Sequence, residues 1–153
     1  MTRDSLILIS MISKAASYAI QSLAYLATAS GGREYVPISE IAEELSIPYH
    51  FLKKVLADLA AHDILLSHRS ARGGVALGKE AKNITLFDII SLVDGTDVFE
   101  QCILKLPGCG NEKPCALHHN WAKERQNLYT MFSKITLANV ASGILKEGFR
   151  IRP

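Results

Sequence analysis

The sequence predicts a mainly α-helical fold that carries one small β-hairpin and a long helix near its end. Three observations predict this fold. Apolar residues recur at helical spacing in five segments, two short apolar runs flank a loop with paired glycines, and the 153 residues amount to about one domain. A hydrophobic share of 48% with 21% charged residues is typical of a globular chain and excludes a disordered tail or a collagen-like repeat.

The first helix is predicted from residue 11 to about residue 28, with the segment Ser30-Gly31-Gly32 as its stop signal. Its apolar face consists of Ala16, Ala19, Ile20, Leu23 and Ala27. A short second helix follows Pro37, with Ser39 as a candidate N-cap and acidic residues on the outer face.

A third helix is expected from Pro48, a residue that suits the first helical turn, to about His62. Its inward stripe consists of Leu52, Val55, Leu56 and Leu59. A second face repeats the same spacing with His50, Lys53, Lys54 and Ala57. One face of this helix therefore belongs to the core, and another is basic.

Two short strands are predicted at residues 64–66 and 75–77. The loop between them contains Gly73 and Gly74, a pair that allows the positive φ of a tight hairpin. Thr85 then caps a fourth helix, with Asp88 in the capping-box position and Gly95 at the end.

Residues 96–114 contain glycine and proline without any period, which predicts a loop. A long helix is expected from about residue 116 to residue 133, and Glu124 interrupts its roughly heptad apolar stripe. The stripe consists of Leu117, Trp121, Leu128, Met131 and Ile135. Such a stripe needs a partner, which predicts an interface on this helix.

The order of helix, tight turn, basic helix and hairpin is that of a winged helix-turn-helix. In that arrangement the basic helix enters the DNA major groove, and the hairpin loop reaches phosphates or the minor groove. The net charge of +2 is too small to indicate nucleic-acid binding by itself. Residues 34–47, however, hold four acidic and no basic residues, whereas residues 48–82 hold six basic and three acidic ones. The positive charge is concentrated where DNA would lie.

The candidate DNA-binding residues lie on the basic helix and in the hairpin loop: Tyr49, His50, Lys53, Lys54, Arg69, Arg72, Gly73 and Gly74. A solvated helix face is the ordinary explanation for a lysine pair. Arg69 and Arg72 beside the glycines favour DNA binding instead. Tyr49 and His50 fit a contact with DNA and a plain surface position equally well.

The second candidate site is a cluster of cysteines in the predicted loop. Cys102, Cys109 and Cys115 are separated by six and five residues, and His118 follows after two more. Three cysteines argue against a disulfide framework and favour metal binding or redox sensing. Cys115 and His118 are spaced i, i+3 at the expected beginning of the long helix, so both can face one centre.

The metal itself is left open by the spacing. Three thiolates and an imidazole suit tetrahedral zinc, but zinc sites favour closer cysteine pairs, and the wide gaps here resemble an iron–sulfur loop. His119 is a competing ligand, although helical geometry turns it about 100° away from His118, towards the surface. Three unliganded thiols on a mobile loop are the remaining alternative.

From residue 11 to about residue 140 the sequence resembles the Rrf2 family of winged-helix transcription regulators. The resemblance rests on Ser17-Tyr18-Ala19, on residues 38–42 and 46–48, on Arg69 with the paired glycines, on the cysteines, and on Ile135-Thr136-Leu137. It departs at the cysteines, because six residues rather than five separate the first two. It also departs at Ser70 and Val75, which replace a glycine and an aromatic residue, and at Lys53, where IscR-like members tend to carry an acid.

The resemblance implies a homodimer, formed largely through the long helix, that binds a roughly palindromic operator in double-stranded DNA. IscR-like members hold a two-iron two-sulfur cluster with three cysteines and a histidine, and Cys102, Cys109, Cys115 and His118 match that order. NsrR-like members hold a four-iron cluster that responds to nitric oxide. The expected function is therefore a transcriptional regulator, repressor or activator, whose operator affinity depends on a cluster that senses redox state, iron–sulfur status or nitric oxide. A DNA-binding regulator with structural zinc or a metal-free thiol sensor is the alternative.

These expectations divide the chain into three parts. Residues 11–95 form the DNA-binding domain, residues 96–115 the cysteine-rich loop, and residues 116–140 the dimerisation helix with the segment after it.

The apolar run of residues 6–12 is far shorter than the roughly 20 residues that span a bilayer, and a cytoplasmic protein is expected. The sequence contains no phosphate-binding glycine loop, nucleophile elbow or carboxylate pair, which argues against an enzyme.

Overall fold

The computed structural model describes residues 11–29 and 34–153, and within them seven α-helices and one antiparallel hairpin follow one another along the chain. The order is α1 (Lys14–Ala29), α2 (Ile38–Glu44), α3 (Tyr49–Ala61), β1 (Leu65–His68), β2 (Gly74–Leu77), a 3₁₀ turn (Ala81–Asn83), α4 (Leu86–Asp94), α5 (Asp97–Glu100), α6 (His118–Lys134) and α7 (Leu137–Glu147). This order confirms the predicted mainly helical fold with a hairpin wing. The predicted stop after the first helix and most of the apolar run of residues 6–12 lie outside the described residues.

Helix α1 lies at the centre of the winged-helix core, where it contacts α3, α4 and α7. The predicted inward stripe of α3 is confirmed, because Leu52, Val55, Leu56 and Leu59 are all buried. Pro37 and Pro48 are the N-cap residues of α2 and α3, so each helix begins at the residue after its proline. The expectation that Ser39 caps α2 was wrong, since Ser39 already lies in the first turn.

The hairpin pairs β1 with β2 in a register that places Leu65 opposite Leu77 and His68 opposite Gly74. Val36 pairs with the other side of β2 as an isolated antiparallel bridge, because its backbone exchanges two hydrogen bonds of 2.9 Å with Val75. The wing is therefore fixed to the segment that leads into α2.

Helix α4 begins and ends as predicted. Thr85 and Asp88 form the reciprocal capping box, and Gly95 ends the helix with a φ of 79°. The fully buried Ile84 and Ile89 lie on either side of the cap.

Two expectations about the second half of the chain were wrong. Residues 96–114 are not all loop, because α5 forms a single turn within them. Helix α7 was not predicted, although Thr136 and Asn139 form a second capping box and Gly148 ends the helix with a φ of 69°. Leu137 at its start is completely buried, so the chain returns from α6 to the winged-helix core. Among the described residues, no helix combines the length and apolar character needed to cross a membrane.

Candidate functional site

The first candidate site is a groove of about 600 Å³ between α3 and the hairpin. Tyr49 and Lys53 line it from α3, Arg69 from the wing, and Ser39 from the first turn of α2. Tyr49 and Lys53 are one helical turn apart and therefore share a face. The burial of the apolar stripe of α3 turns that face outward. The groove thus joins a helix face to Arg69 of the wing.

The structure does not bring every predicted residue into this groove. His50 and Lys54 are exposed on α3 but do not line the groove. Arg72 borders a neighbouring cavity of about 650 Å³, where Tyr35 stacks on His68 with 5.3 Å between the ring centroids. Sequence analysis missed Tyr35 and His68, which carry no periodic signal.

Gly73 and Gly74 shape the wing for two different reasons. Gly74 has a φ of 154°, and a Cβ there would lie 2.1 Å from the backbone oxygen of Val36. Gly73 does not have a positive φ, contrary to the prediction, but a Cβ there would lie 2.1 Å from the backbone oxygen of His68. Close backbone approach therefore excludes a side chain at both positions.

The second candidate site is the convergence of the three cysteines. The Sγ atoms of Cys102, Cys109 and Cys115 all lie within 4.8 Å of one another. The Sγ atoms of Cys102 and Cys115 are 3.6 Å apart, and Cys109 Sγ lies 3.4 Å from His118 Nδ1. The cysteines and His118, spread over 17 residues of sequence, thus meet at one point. His119 is exposed, as predicted.

The thiols of this cluster have unequal acidities. The pKa of Cys102 is lowered to about 7, mainly because the backbone N–H of Leu106 donates to its sulfur, with a further contribution from Leu104. The pKa of Cys109 is raised. A hydrogen bond from the backbone of Cys115 opposes this shift, but desolvation and the neighbouring Cys102 outweigh it. Cys102 therefore ionises more readily than Cys109.

Residues 100–115, called the cysteine segment below, are attached to α6 at both ends. The indole N–H of Trp121 donates to the backbone oxygen of Gln101 at 2.8 Å, and the Arg125 side chain donates to the backbone oxygen of Glu100. At the other end, the backbone N–H of His118 donates to the carbonyl of Cys115 at 3.0 Å. Cys115 thus lies just before the helix, which begins at His118 rather than at the expected residue 116.

An aromatic cluster joins the cysteine segment to the winged-helix core. Phe99, on α5, packs against Phe87 of α4 at 5.1 Å and against Phe132 of α6 at 6.0 Å between ring centroids. Tyr129 contacts Phe87 at 5.0 Å and Phe99 at 6.3 Å. Three helices therefore meet at the residue that stands three positions before Cys102.

The apolar stripe of α6 is only partly covered within the single chain. No residue of α6 is fully buried, and Leu117 and Met131 are 43% and 44% exposed. Ile103, Leu104 and Leu106 of the cysteine segment are about half exposed as well. These side chains are apolar surface that the single chain leaves partly uncovered.

The donor set at the cysteine site fits a thiophilic metal group. Three sulfur atoms and one imidazole nitrogen are the ligands that iron–sulfur clusters and tetrahedral zinc accept in proteins. The thiol with the lowered pKa favours such a group, because thiolates rather than thiols are the ligands.

Comparison with known proteins identifies similar chains. Residues 12–143 match the model of the family Rrf2, described as "Iron-dependent Transcriptional regulator". A protein of Aquifex aeolicus named as an HTH-type transcriptional regulator is 34% identical over 125 residues, which cover 80% of this chain and 85% of that protein. The regulator IscR of Sodalis glossinidius is 29% identical over 125 residues, 82% of this chain and 74% of its own.

Solved structures show the same architecture. CymR, the global cysteine regulator of B. subtilis, superposes with a TM-score of 0.71 and 27% identity over 86% of this chain and 95% of its own. IscR of T. potens superposes with a TM-score of 0.70 and 24% identity over 91% of each chain. At this identity the similarity concerns the fold alone. These relatives are transcriptional regulators rather than enzymes.

Proposed function

Because the chain belongs to the Rrf2 family of DNA-binding transcriptional regulators, we propose that it binds its operator as a homodimer and that an iron–sulfur cluster tunes its affinity. The observation that carries this proposal is the convergence of three thiols and one imidazole at a single point. The cluster ligands in this proposal are Cys102, Cys109, Cys115 and His118.

In the proposed complex, α3 enters the major groove and the wing lies over the neighbouring phosphates or the minor groove. Lys53 and Tyr49 face the same groove as Arg69, so the three side chains can contact one stretch of duplex. His50 and Lys54 are exposed on the same helix, Arg72 borders the neighbouring cavity, and Gly73 and Gly74 shape the wing that carries the arginines. A palindromic operator would match two such surfaces related by two-fold symmetry.

The partly covered stripe of α6 supports the homodimer. Leu117 and Met131 belong to the apolar stripe of α6, and no residue of that helix is fully buried. Burying these side chains against a second copy would remove them from water and fix the distance between the two DNA-binding surfaces.

An iron–sulfur cluster supplies reversible redox chemistry and a covalent link among its ligands. Cys102 and His118 are the residues through which ligation would reach the rest of the chain. Cys102 follows α5, whose Phe99 packs against α4 and α6, and His118 opens α6 itself. Binding of all four ligands would hold α5 and the start of α6 in one arrangement and shift the population of DNA-binding conformations.

The imidazole ligand favours a two-iron two-sulfur cluster, and a four-iron cluster is the other form that this donor set admits. Either form suits a sensor of redox state, iron–sulfur status or nitric oxide. A metal-free thiol sensor is a second candidate, because the Sγ atoms of Cys102 and Cys115 are only 3.6 Å apart and the pKa of Cys102 is about 7. A structural zinc site in the same loop is the third.

The test combines metal analysis with operator binding. Protein purified without air is expected to be brown and to contain iron and sulfide, whereas zinc or a colourless metal-free chain would favour the alternatives. Operator binding is then compared between the loaded protein and a triple variant, Cys102→Ala with Cys109→Ala and Cys115→Ala. We expect different affinities, and identical affinity for every operator would overturn the proposed switch.

A further inference from the structure

The imidazole of His118 lies between two different partners. Its Nδ1 atom is 3.4 Å from Cys109 Sγ, and its Nε2 atom is 3.1 Å from Oδ1 of Asn111. Asn111 belongs to the segment between the last two cysteines, two residues after Cys109. One ring nitrogen therefore faces the thiols, and the opposite one faces a side-chain amide.

The amide oxygen determines which nitrogen carries the proton. An amide oxygen only accepts hydrogen bonds, so its partner Nε2 must be the donor. A neutral imidazole carries a single N–H, which leaves Nδ1 with its lone pair directed at the cysteines. The arrangement resembles known metal sites, where a ligating histidine donates its other N–H to an oxygen that fixes the tautomer and ring orientation.

We propose that Asn111 is a positioning residue that holds His118 in the Nε2–H tautomer and presents Nδ1 as the fourth ligand of the cysteine site. This inference rests on the proposed function, since it assigns a ligand atom for the same cofactor. Asn111 acts through the imidazole, to which its amide oxygen is hydrogen-bonded.

The loop geometry explains why Asn111 can reach the ring. The backbone N–H of Gly110 donates to the carbonyl of Lys113 at 3.4 Å, which closes a turn around Asn111. The backbone N–H of Cys109 donates to Leu106 at 3.2 Å and fixes the residue before that turn. The side chain of Asn111 is thereby held beside the start of α6, where His118 lies.

The first measurement determines the tautomer in protein without a cofactor. Two-bond ¹H–¹⁵N correlation spectra of ¹⁵N-labelled protein at about pH 8, where an ordinary histidine is neutral, distinguish the two tautomers. We expect His118 to be in the Nε2–H form and to lose that preference in Asn111→Leu, a variant of similar size without an acceptor. Asn111→Asp, which keeps an acceptor oxygen, should retain the form. An Nδ1–H ring in the unsubstituted protein, or an Asn111→Leu ring that is unchanged, would overturn the proposal.

The second measurement follows the cofactor. Electron paramagnetic resonance of the reduced, cluster-loaded protein with ¹⁵N at histidine Nδ1 should show strong coupling to that nitrogen. In Asn111→Leu we expect resistance to a chelator to fall by about 10-fold to 100-fold. Glu112→Ala, a change at the neighbouring exposed residue, should leave both readouts unchanged. Coupling to Nε2 instead of Nδ1 would contradict the assignment of the ligand atom.

The two measurements also separate the failure of each proposal. If no iron–sulfur cluster can be loaded into the unsubstituted protein, the proposed function fails. The tautomer measured in the cofactor-free protein would still decide whether Asn111 orients His118.

Discussion

Trp121 donates its indole N–H to the backbone oxygen of Gln101 at 2.8 Å, and Gln101 is the residue directly before Cys102. His118, one turn earlier on the same helix, holds the carbonyl of Cys115 through its backbone N–H. The first and last cysteines of the site are thus attached to a single turn of α6. Because both ends of the segment are fixed, it has few conformations available, and the three thiols stay close together.

The Trp121 bond predicts how easily the cysteine segment opens. In Trp121→Phe the ring is kept but the donor is lost, which should cost about 1 kcal/mol and make opening of the segment about 5-fold more frequent. Limited trypsin cleavage at Lys105, inside the segment, should accelerate by a similar factor. Asn120→Ala, at the adjacent residue, serves as the control, and equal cleavage rates in the two variants would show that the bond does not hold the segment.

The lowered pKa of Cys102 predicts a pH-dependent reactivity in cofactor-free protein. Since the thiolate is the nucleophile, alkylation of Cys102 by iodoacetamide should rise to its half-maximum near pH 7 and fall as the pH decreases below that value. Cys109, whose pKa is raised, should become reactive only at higher pH. Mass spectrometry of peptides after short exposure measures both rates, and simultaneous labelling of the two thiols would contradict the expected order.

Gly74 predicts a strong local effect on the wing. Gly74→Ala places a Cβ 2.1 Å from the backbone oxygen of Val36 at a φ of 154°, and we expect a loss of about 1–3 kcal/mol in the free energy of unfolding. Gly110 is the matched control, because a Cβ there meets nothing within 4 Å and its φ is not positive. Urea unfolding of the two variants tests this difference, which should be absent if the wing can shift freely.

The proposed DNA contacts predict a change in salt dependence. Arg69→Ala removes a wing cation, and if that cation contacts a phosphate, the slope of log affinity against log salt should decrease by about one. Lys53→Ala is expected to act similarly or, if Lys53 contacts a base, to change operator preference instead. Lys146→Ala, at the end of α7, is the control for loss of one positive charge. Fluorescence anisotropy at several salt concentrations measures the slopes, and three equal slopes would exclude the groove as the DNA surface.

The apolar stripe of α6 predicts the oligomeric state. Met131→Glu introduces a charge at a 44% exposed position of the stripe and should dissociate the proposed dimer, because the carboxylate would lose its hydration in the interface. Gln126→Glu adds the same charge at an exposed position off the stripe and should leave the dimer intact. Sedimentation velocity measures the oligomeric state of both variants, and an unsubstituted protein that sediments as a monomer would refute the proposal.

Much of the winged helix was predictable because its signals are local. The burial of Leu52, Val55, Leu56 and Leu59 follows from the period of an α-helix, and the Thr85–Asp88 capping box needs only four consecutive residues. Helix α7 offered similar signals in Thr136, Asn139 and Gly148, and they went unrecognised. The position of α7 against α1 could not be read from them, because packing between distant segments leaves no periodic trace.

The sequence by itself determined the helical periods, the location of positive charge and the presence of three cysteines with a histidine after them. Only the tertiary structure decided that Cys109 lies beside His118 Nδ1, that Asn111 meets Nε2, and that Tyr49 and Lys53 share a groove with Arg69. The physical reason is the range of the interactions. Helix period and capping depend on neighbours along the chain, whereas the geometry of a ligand set depends on how α5 and α6 pack and close the segment between them.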